Sequence, residues 1–540
     1  MLQFQDKVAL ITGSGTGIGM TVAKKFVENG ASVIILGRRK EPLENAAKML
    51  NSVITEKRSN GFVKIFSGVD VSDENAVTGM FDALKNENIT VDIIVNNAGV
   101  SGPVTCFAHA PLTDFRSTVD IHLTGTFWTS VQALKVMKDG GKIITISTFF
   151  AEERPLEQRP YRFRGPYTAS QGAKNRLVEA MSWELTEKGI VSIGTNPGPV
   201  HSDRIYKTVY PKAASEFLRV SGFEDLSPED VESANKEILG LLGEDEQTVK
   251  DGIKSASKKL SKQETTLTNL LNKVQSIAEK IQKNTSTMIA DQQFLSQDQV
   301  ATTVLTLAGD EQSKILNGKI IPGDRVFYPV KSHITSSFPK VEKNNFDGIN
   351  CVITNDGAND AIEKGKNLKS LIESKGGKIA DNGQLHIHIT GNLPTFSKLT
   401  ELTRNEWNGL VDKFINNPAT IAQNAMESFV PGGSTDPRLF NNAKGRIVII
   451  GPDLPAGKKI SGHERAKVEV FRGALRPFAT TVNQELSDVL KSNVRMFLIL
   501  PGTVDGKEPN IENIINTINY LVTDEANTTS EVIFCPDESR

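Results

Sequence analysis

Residues 7–19, KVALITGSGTGIG, decide the fold of the first part of the chain. The apolar run at residues 7–12 has the length and the β-branched content of a buried strand, and it passes directly into a glycine loop and then a helical pattern. In such a loop Gly13 permits a tight turn, Gly17 lets the backbone approach an anion, and Gly19 allows close helix packing. This order predicts a phosphate site at a helix N-terminus, although a glycine-rich turn that serves only as a sharp bend is the alternative.

The second strand, SVIILG at 32–37, bears on which dinucleotide such a site would take. An NAD site commonly has a carboxylate after this strand to hold the ribose 2′-hydroxyl, but here Arg38 and Arg39 follow. Two guanidinium groups would hold a 2′-phosphate through charge-assisted hydrogen bonds, which favours NADP(H). The alternative is that both arginines are solvated residues at the start of a helix.

Further strands alternate with helical patterns along the first 150 residues. A third strand, VKIFSGVDV at 63–71, is predicted to close with Asp70 and Val71, and a fourth, VDIIVNNAG at 91–99, is predicted to end at Asn96, Asn97, Ala98 and Gly99. This alternation predicts an α/β fold with a Rossmann-like, doubly wound parallel sheet. Ligands of such sheets bind outside the C-terminal ends of the strands.

Length, charge and cysteine content limit the function classes. The 540 residues predict two or three domains, and a formal charge of −2, from 62 basic and 64 acidic residues, favours neither nucleic acid nor an anionic membrane as partner. Cys106, Cys351 and Cys535 are too far apart in sequence for a CxxC metal site or a disulfide framework, so no metal is expected. No apolar run reaches the roughly 18 residues of a spanning helix, and the first residues lack a signal-peptide pattern. We therefore expect a cytoplasmic protein that acts on a small molecule.

Six ordered motifs, TGSGTGIG, DV, NNAG, GKIITIST, YTASQGAK and NPGPV, resemble those of the short-chain dehydrogenase/reductase family. The resemblance implies a Rossmann-like subunit that transfers a hydride at a carbonyl or alcohol carbon. It implies that Asp70 lies near the adenine and Asn96 along the cofactor. The full set of cofactor contacts that it implies is Gly13, Ser14, Gly17, Ile18, Gly19, Arg38, Arg39, Asp70, Val71, Asn97, Ala98, Gly99, Pro197, Gly198 and Val200.

The same resemblance assigns the catalytic positions. Tyr167, at the start of the YTAS helix, corresponds to the family's proton donor, and Thr148, at the end of GKIITIST, corresponds to the serine that orients the carbonyl. Both residues offer the hydroxyl group that carbonyl reduction requires. His122, in VDIHLTGTF, stands where the family usually has an asparagine that organises a water chain. A helix histidine without a chemical role is the alternative.

Gln171 is the main departure from the family pattern, because the family has lysine four residues after the tyrosine. That lysine favours ionisation of the tyrosine and binds the nicotinamide ribose, whereas glutamine can hydrogen-bond but brings no charge. Lys174 lies about 10 Å along the helix from Tyr167, which argues against it as a replacement. Arg162 or Arg164 could instead fold over the site and supply positive charge. Slow catalysis, an arginine-assisted reaction and loss of catalysis are the three alternatives.

The second half of the chain resembles the first half in a degraded form. GRIVIIGPD (445–453) overlays GKIITISTF, RGALRPFATTVNQEL (472–486) overlays QGAKNRLVEAMSWEL (171–185), and LPGTV (500–504) answers NPGPV. In this register Arg472 stands opposite Gln171, and Val468 stands opposite Tyr167. We therefore expect a copy without a cofactor cradle or a proton donor; a coincidental helix similarity is the alternative.

An insertion of about 85 residues, at 206–292, interrupts the first half after NPGPVHSDRI. Its apolar side chains recur at spacings of three and four, which predicts a helical hairpin packed on itself or on a neighbour, as a lid or an oligomer arm. The chain is thus predicted to have a reductase domain at 1–330, a linker at 331–345 and a degenerate reductase-like domain at 346–540. The stripe consists of Leu267, Leu270, Val274, Ile277 and Ile281.

This layout resembles the N-terminal half of the bacterial bifunctional malonyl-CoA reductase family, with ISTFF, the tyrosine helix and PGPVHSDRI carrying the likeness. The resemblance implies NADPH-dependent reduction of malonate semialdehyde to 3-hydroxypropionate, with Arg204 as a candidate partner of the substrate carboxylate. More generally, we expect reduction of a small acidic or CoA-linked carbonyl compound. Another substrate, such as a 3-oxoacyl thioester, and a non-catalytic nucleotide-binding or assembly subunit are the alternatives. A homo-oligomer, or a partner enzyme bound through the insertion, is also expected.

Overall fold

The computed structural model describes residues 2–58, 60–151, 162–200, 205–287, 292–323, 344–430, 432, 436–455, 461–502 and 511–536. Within these residues the strands form two separate parallel sheets, one in each half of the chain. The linker predicted at 331–345 falls largely on residues 331–343, which lie outside the described residues. In the described part of the chain, no helix combines the length and the apolar character that crossing a bilayer requires.

The first sheet has seven described strands, which alternate with helices along the chain. They are β1 (Val8–Thr12), β2 (Ser32–Gly37), β3 (Val63–Ser67), β4 (Val91–Asn96), β5 (Met137–Ile146), β6 (Val191–Asn196) and β7 (Ile320–Pro322). Their order across the sheet is β3-β2-β1-β4-β5-β6-β7, so the strand order reverses between β1 and β4. A sheet of this kind opens a crevice at the switch point, outside the C-terminal ends of its strands.

Helices cover both faces of this sheet, as continuous buried strands require. They are α1 (Gly17–Glu28), α2 (Lys40–Lys57), α3 (Glu74–Asn86), α4 (Leu112–Val119), α5 (Gly125–Ala133) and α6 (Gly165–Glu184). A π-helical turn at Asp120–Thr124 joins α4 to α5, and such turns often occur at functional sites. The strands carry the β-branched buried residues that the sequence indicated, and the predicted Rossmann-like fold class is confirmed.

The insertion forms a small helical core of its own. Its helices are α7 (Tyr210–Ser221), α8 (Pro228–Ile238), α9 (Glu246–Leu260) and α10 (Glu264–Ser286). The stripe predicted from the sequence lies on α10: Leu267, Leu270 and Val274 are buried against the other three helices, whereas Ile277 and Ile281 are partly buried. The chain then returns to the first sheet through α11 (Gln297–Leu307) and α12 (Asp310–Ile315).

The second sheet repeats the path of the first. Its described strands are β8 (Asn350–Asn355), β9 (Lys378–Ile379), β10 (Leu385–Ile389), β11 (Lys444–Ile450), β12 (Asn493–Gly502) and β13 (Val532–Pro536). Their order is β13-β12-β11-β10-β8-β9, which matches the first sheet without a counterpart of β3. The accompanying helices are α13 (Asn359–Ser374), α14 (Arg404–Val411), α15 (Asn417–Ser428), α16 (Gly462–Gln484) and α17 (Ile511–Leu521).

The two halves meet along α6 and α16, which pack against each other over much of their length. A Cβ atom added to Gly172 would lie 2.1 Å from the carbonyl oxygen of Gly473, so only glycine permits this close backbone approach. One turn earlier on α6, the hydroxyl oxygens of Thr168 and Thr481 lie 3.0 Å apart. Apolar residues of α4, α5 and α6 belong to the same buried cluster as residues of α14, α15 and α16, so the halves share one hydrophobic core.

Candidate active site

A cleft of about 780 Å³ opens at the C-terminal ends of the first sheet's strands, at the switch point of strand order. Most of the residues predicted from the sequence line this cleft, and it extends from the glycine loop to the start of α6. The predicted residues that line it are Gly13, Gly17, Ile18, Arg38, Arg39, Asp70, Val71, Asn97, Ala98, Gly99, His122, Thr148, Tyr167, Gln171, Pro197, Gly198 and Val200.

The glycine loop shapes one end of the cleft. Gly13 and Gly17 have φ angles of +64° and +62°, which suit glycine, and α1 begins at Gly17 without a side-chain cap. A Cβ atom on Gly19 would lie 2.5 Å from the Nδ2 atom of Asn97, so this glycine allows close packing behind the loop. The helix N-terminus therefore presents backbone N–H groups to the cleft, an arrangement that favours an anion.

Ser14 lies in the same loop but faces away from the cleft. Its buried hydroxyl donates to the carbonyl oxygen of Ile11 at 2.7 Å and accepts from the N–H of Leu36 at 3.0 Å. These bonds join β1 to β2. The side chain of Ser14 thus stabilises the sheet beneath the loop.

Arg38, Arg39 and Asp70 lie at the outer end of the cleft. Arg38 pairs with Asp70 at 3.6 Å, and the same carboxylate accepts from the N–H and the hydroxyl of Ser72. The prediction that Asp70 and Val71 close the third strand is wrong, because Gly68 adopts a φ of +78° and β3 ends at Ser67. Both residues nevertheless lie beside the cleft, in the turn that follows.

The loop after β4 is bonded to the loop after β1. The hydroxyl of Thr12 accepts from the N–H groups of Asn97 and Ala98 at 2.9 and 2.8 Å, and the Asn97 amide donates to the carbonyl oxygens of Thr12 and Gly13. The floor of the cleft is therefore fixed by hydrogen bonds within the protein. Asn96 takes no part in it, because its amide donates to the Ser130 hydroxyl at 2.8 Å.

A neutral hydrogen-bonded chain lies next to Tyr167. The Ser147 hydroxyl donates to the Oε1 atom of Gln171 at 2.9 Å, and the Gln171 Nε2 atom lies 3.0 Å from the Nδ1 atom of His122. The Nε2 atom of His122 lies 2.9 Å from the carbonyl oxygen of Val100, which fits an imidazole protonated at Nε2. The imidazole meets the Tyr167 ring edge to face, with centroids 5.3 Å apart.

Lys174 is a cleft residue that sequence reasoning set aside. It follows Gln171 on the same face of α6, is 1% exposed, and donates from Nζ to the carbonyl oxygen of Ile146 at 2.7 Å. Burial lowers the pKa of Lys174 to about 7. The side chain of Lys174 extends to the end of β5, at Ile146. That Lys174 does not replace the family lysine stays a prediction.

Arg164 brings positive charge to the other side of Tyr167. Its guanidinium lies 4.3 Å from the centroid of the Tyr167 ring and donates to the carbonyl oxygen of Ser101. Arg162, the other arginine considered from the sequence, instead forms an ion pair with Asp488 of the second half. The sequence named both arginines but contained no signal that distinguished them.

Arg204, the candidate for the substrate carboxylate, lies outside the described residues. Thr148 is 5% exposed and lines the cleft, where its hydroxyl oxygen lies 3.5 Å from the N–H of Phe150. Tyr167 and Thr148 thus lie in one cleft with the glycine loop. A phenol that can donate a proton and a second hydroxyl that can donate a hydrogen bond, next to a nucleotide-binding loop, can support carbonyl reduction.

In the corresponding region of the second half, a buried arginine bonds to groups of its own half. Arg472, opposite Gln171 in the register, is buried and donates to the carbonyl oxygens of Pro452 and Pro501 at 2.8 and 2.6 Å. It also pairs with Asp453 at 3.0 Å. Val468 stands where the first half has Tyr167, so the described residues of this half offer no equivalent of the tyrosine hydroxyl there.

The fold and the site together define a Rossmann-type oxidoreductase domain followed by a second domain of the same topology. The family model described as short chain dehydrogenase matches residues 7–210. Over 206 residues, or 38% of this chain, the sequence is 32% identical to 3alpha-hydroxysteroid dehydrogenase of Mediterraneibacter gnavus and covers 78% of that protein. Over 236 residues, or 43% of this chain, it is 29% identical to 7alpha-hydroxysteroid dehydrogenase of Escherichia coli K12 and covers 87% of that protein. The chain belongs to the short-chain dehydrogenase family.

Solved structures match both halves of the chain together. The C-domain of bacterial malonyl-CoA reductase with NADP superposes with a TM-score of 0.74 at 16% identity, covering 99% of each chain. The N-domain of that enzyme with NADP gives a TM-score of 0.69 at 15% identity, covering 99% of this chain and 98% of that one. The tandem fold therefore matches both domains of that enzyme and not only the N-terminal half.

Proposed function

We propose that this chain is an NADP(H)-dependent oxidoreductase that reduces the carbonyl group of a small acidic or CoA-linked substrate, with malonate semialdehyde as the leading candidate. The observation that carries the proposal is that the glycine loop and Tyr167 line one continuous cleft. A protein that only bound the nucleotide would need the glycine loop but not Tyr167. The combination of both is what hydride transfer to a carbonyl requires.

The residues of the cleft fit NADP(H). Gly13 and Gly17 leave the loop without side chains where a pyrophosphate approaches the N-terminus of α1. Arg38, whose side chain is 63% exposed, and Arg39 would hold a 2′-phosphate, and Asp70 would orient Arg38. The bound reduced coenzyme supplies the hydride. The similar malonyl-CoA reductase domains contain NADP, which supports the same choice here.

Three side chains would carry the rest of the reaction. Tyr167 would donate a proton to the oxygen of the carbonyl as that oxygen gains negative charge, and Thr148 would hydrogen-bond the same oxygen. Arg164, with its guanidinium over the Tyr167 ring, would stabilise negative charge on the phenol oxygen through space. The chain of Gln171 and His122 would keep the surroundings of Tyr167 ordered without adding charge.

An acidic substrate is favoured by the positive charge at the reacting end of the cleft. Arg164 is 5% exposed and lies at the wall that Ser101 also lines, so an anionic group there would be attracted by a partly desolvated cation. Arg204 remains a candidate partner of the substrate carboxylate. Contacts between the helical insertion and another copy of the chain, or a partner enzyme, also remain a proposal.

The decisive assay mixes the purified chain with NADPH and malonate semialdehyde and follows NADPH oxidation. Tyr167→Phe keeps the ring and its packing but removes the proton donor, so we expect kcat to fall by roughly 100-fold or more while NADPH affinity stays within about twofold. Wild-type oxidation no faster than that of Tyr167→Phe, with malonate semialdehyde and with a 3-oxoacyl thioester, would refute the proposal.

The second candidate is a subunit that binds the nucleotide without turning it over. The specific observation in its favour is that both ends of the Gln171 amide are engaged by Ser147 and His122, where the family has a lysine. It expects NADPH binding, no effect of Tyr167→Phe, and a protein partner that co-purifies. Comparison of the wild type with Tyr167→Phe therefore distinguishes the two candidates.

A further inference from the structure

Two buried glutamates, at corresponding positions in the two halves, each form hydrogen bonds to the other half. In the sequence register that aligns Gln171 with Arg472, Glu184 corresponds to Glu485. Glu184 is the last residue of α6, and Glu485 immediately follows α16. Glu184 is 4% exposed and Glu485 is 1% exposed. Each accepts two hydrogen bonds from backbone N–H groups of the other half, and a buried carboxylate needs such partners.

The two glutamates hold different parts of the opposite half. Glu184 accepts from the N–H groups of Leu399 and Thr400, at 2.6 and 2.9 Å, in the loop that follows β10. Glu485 accepts from the N–H of Phe107, in the loop that follows β4, at 2.7 Å. The second donor to Glu485 is the N–H of Phe163, also at 2.7 Å. Phe163 lies immediately before α6, the helix that carries Tyr167.

Phe163 has a backbone conformation that needs support. Its φ angle is +66°, in the left-handed region that a bulky side chain rarely adopts. Its N–H donates to Glu485, and its carbonyl oxygen accepts from the N–H of Thr105 at 3.0 Å. The preceding Arg162 pairs with Asp488, which lies in the same π-helical turn as Glu485. Two carboxylates of the second half thus fix the segment that enters α6.

The residue after Phe163 is Arg164, which is next to the reacting tyrosine. The backbone angle at Phe163 sets the direction in which the Arg164 side chain leaves the chain, and the guanidinium reaches both the Tyr167 ring and the Ser101 carbonyl oxygen. A change at Phe163 would therefore move the charge that lies over Tyr167.

We propose that Glu485, supplied by the half that lacks a cofactor cradle, is a positioning residue for the site in the other half. It holds Phe163 in its left-handed conformation so that Arg164 lies over Tyr167. The effect on catalysis rests on the proposed function, in which Tyr167 is the proton donor. The second half is then a working part of the active site as well as a packing partner.

Glu184 provides a matched control for this proposal. Glu184→Gln and Glu485→Gln make the same substitution at buried carboxyl groups that bridge the same interface. In each variant the new NH₂ group faces one of two backbone N–H donors, so both variants should lose stability. Only Glu485 is joined to the segment before Tyr167, whereas Glu184 lies about 25 Å farther along α6.

The test measures kcat and NADPH affinity for Glu485→Gln, Glu184→Gln, Arg164→Met and the double variant Glu485→Gln with Arg164→Met. We expect Glu485→Gln to lower kcat by roughly 10-fold with NADPH affinity within about twofold, and Glu184→Gln to change kcat by less than about twofold. In the Arg164→Met background, Glu485→Gln should cost nothing further, because the group that it positions is gone. Equal losses in the two glutamine variants, or additive losses in the double variant, would overturn the proposal.

A crystal structure of Glu485→Gln keeps the test independent of activity. We expect Phe163 to leave its left-handed conformation and Arg164 to leave the Tyr167 ring. Retention of both features would overturn the proposal even if the wild-type chain proves inactive. Inactivity of the wild type toward the carbonyl substrates would count only against the proposed function.

Discussion

His122 and Gln171 both depart from the family pattern, and they contact each other. The family pattern has asparagine and lysine at these positions, whereas here an imidazole Nδ1 atom lies 3.0 Å from an amide nitrogen. Ser147 donates to the other end of the same amide. The two departures therefore form one hydrogen-bonded unit.

This coupling predicts the outcome of restoring the family residues. Gln171→Lys removes the side-chain acceptor of Ser147, leaving only the backbone carbonyl oxygen at 3.2 Å, and places a second amine beside Lys174, so we expect kcat to fall by roughly 10-fold. His122→Asn leaves the Gln171 amide without its partner, so it should also lower kcat. The double variant with Gln171→Lys should recover part of the loss, because it recreates a matched pair. Steady-state assays with NADPH measure all three, and a gain in kcat from Gln171→Lys alone would contradict this account.

Lys174 predicts a pH dependence of stability. Burial lowers its pKa from 10.5 to about 7, so the folded chain binds fewer protons than the unfolded chain between these values. The contribution of Lys174 to the free energy of unfolding should therefore rise with pH from about 7 to 10.5 and be constant below about 7, where both states bind the proton. Lys174→Met removes the contribution, which is on the order of a few kcal/mol. We expect Tm of the wild type relative to Lys174→Met to be higher at pH of about 9.5 than at about 7; a constant difference would show that the lysine does not titrate in this range.

Residues that adjoin strand ends could be predicted from the sequence, because the motif order fixes where a parallel sheet places them. Gly13, which follows β1, and Asn97, which follows β4, are of this kind, and both line the cleft. The positions of the Lys174 and Arg164 side chains could not be predicted in this way. Their location depends on how a long side chain bends and on the positive φ of Phe163, and neither is encoded in a local pattern.

At the scale of elements, the crossing of α6 and α16 is set by two glycines. A Cβ atom on Gly172 would lie 2.1 Å from the backbone carbonyl oxygen of Gly473 and 2.7 Å from Pro477. No rotamer change can relieve a contact with the backbone. The helix that carries Tyr167 is therefore held at a separation from its partner that only glycine allows.

Gly172→Val should consequently separate these helices. We expect a loss of about 1–3 kcal/mol in the free energy of unfolding, because the added atoms overpack a buried helix contact. Gly79→Ala on α3 is the control, since a Cβ atom there meets nothing within 4 Å and alanine favours a helix. Chemical denaturation measures both variants. Equal stability of the two would show that the helices can move apart without cost.

Two elements of the structure match the residues that the sequence pattern predicted for them. The predicted second strand matches β2, at residues 32–37, and the apolar stripe of the insertion lies along α10. The third strand was predicted too long, because the apolar residues continue past Gly68 while its positive φ ends the pairing. A glycine within an apolar run does not by itself reveal which conformation it adopts.

At the scale of the whole molecule, the two halves share a core and cannot be independent. Phe127 of the first half stacks on Trp407 of the second with ring centroids 3.7 Å apart, and the Trp407 indole donates to Thr124 at 3.2 Å. The second half thus covers the helices that carry His122 and Tyr167. The sequence repeat predicted a second domain of related topology. It did not predict the hydrogen bonds of Glu184 and Glu485 across the interface, because these contacts depend on how the two halves pack against each other.

A chain ending at residue 330 tests this dependence. Removing the second half would expose apolar residues of α4, α5 and α6 that now belong to the shared core, so we expect aggregation or a dimer formed through α6. Size-exclusion chromatography and thermal unfolding of the shortened chain measure the outcome. A stable monomer with the Tm of the full chain would contradict the shared core.

The central claim is that the cleft of the first half brings a nicotinamide ring to Tyr167. A crystal structure of the full chain with NADPH tests it most directly. We predict the 2′-phosphate at Arg38 and Arg39, the pyrophosphate at the N-terminus of α1, and the nicotinamide beside Pro197 within reach of the Tyr167 hydroxyl. A nicotinamide ring directed away from Tyr167, or a cleft closed by protein side chains in the presence of saturating NADPH, would contradict the claim.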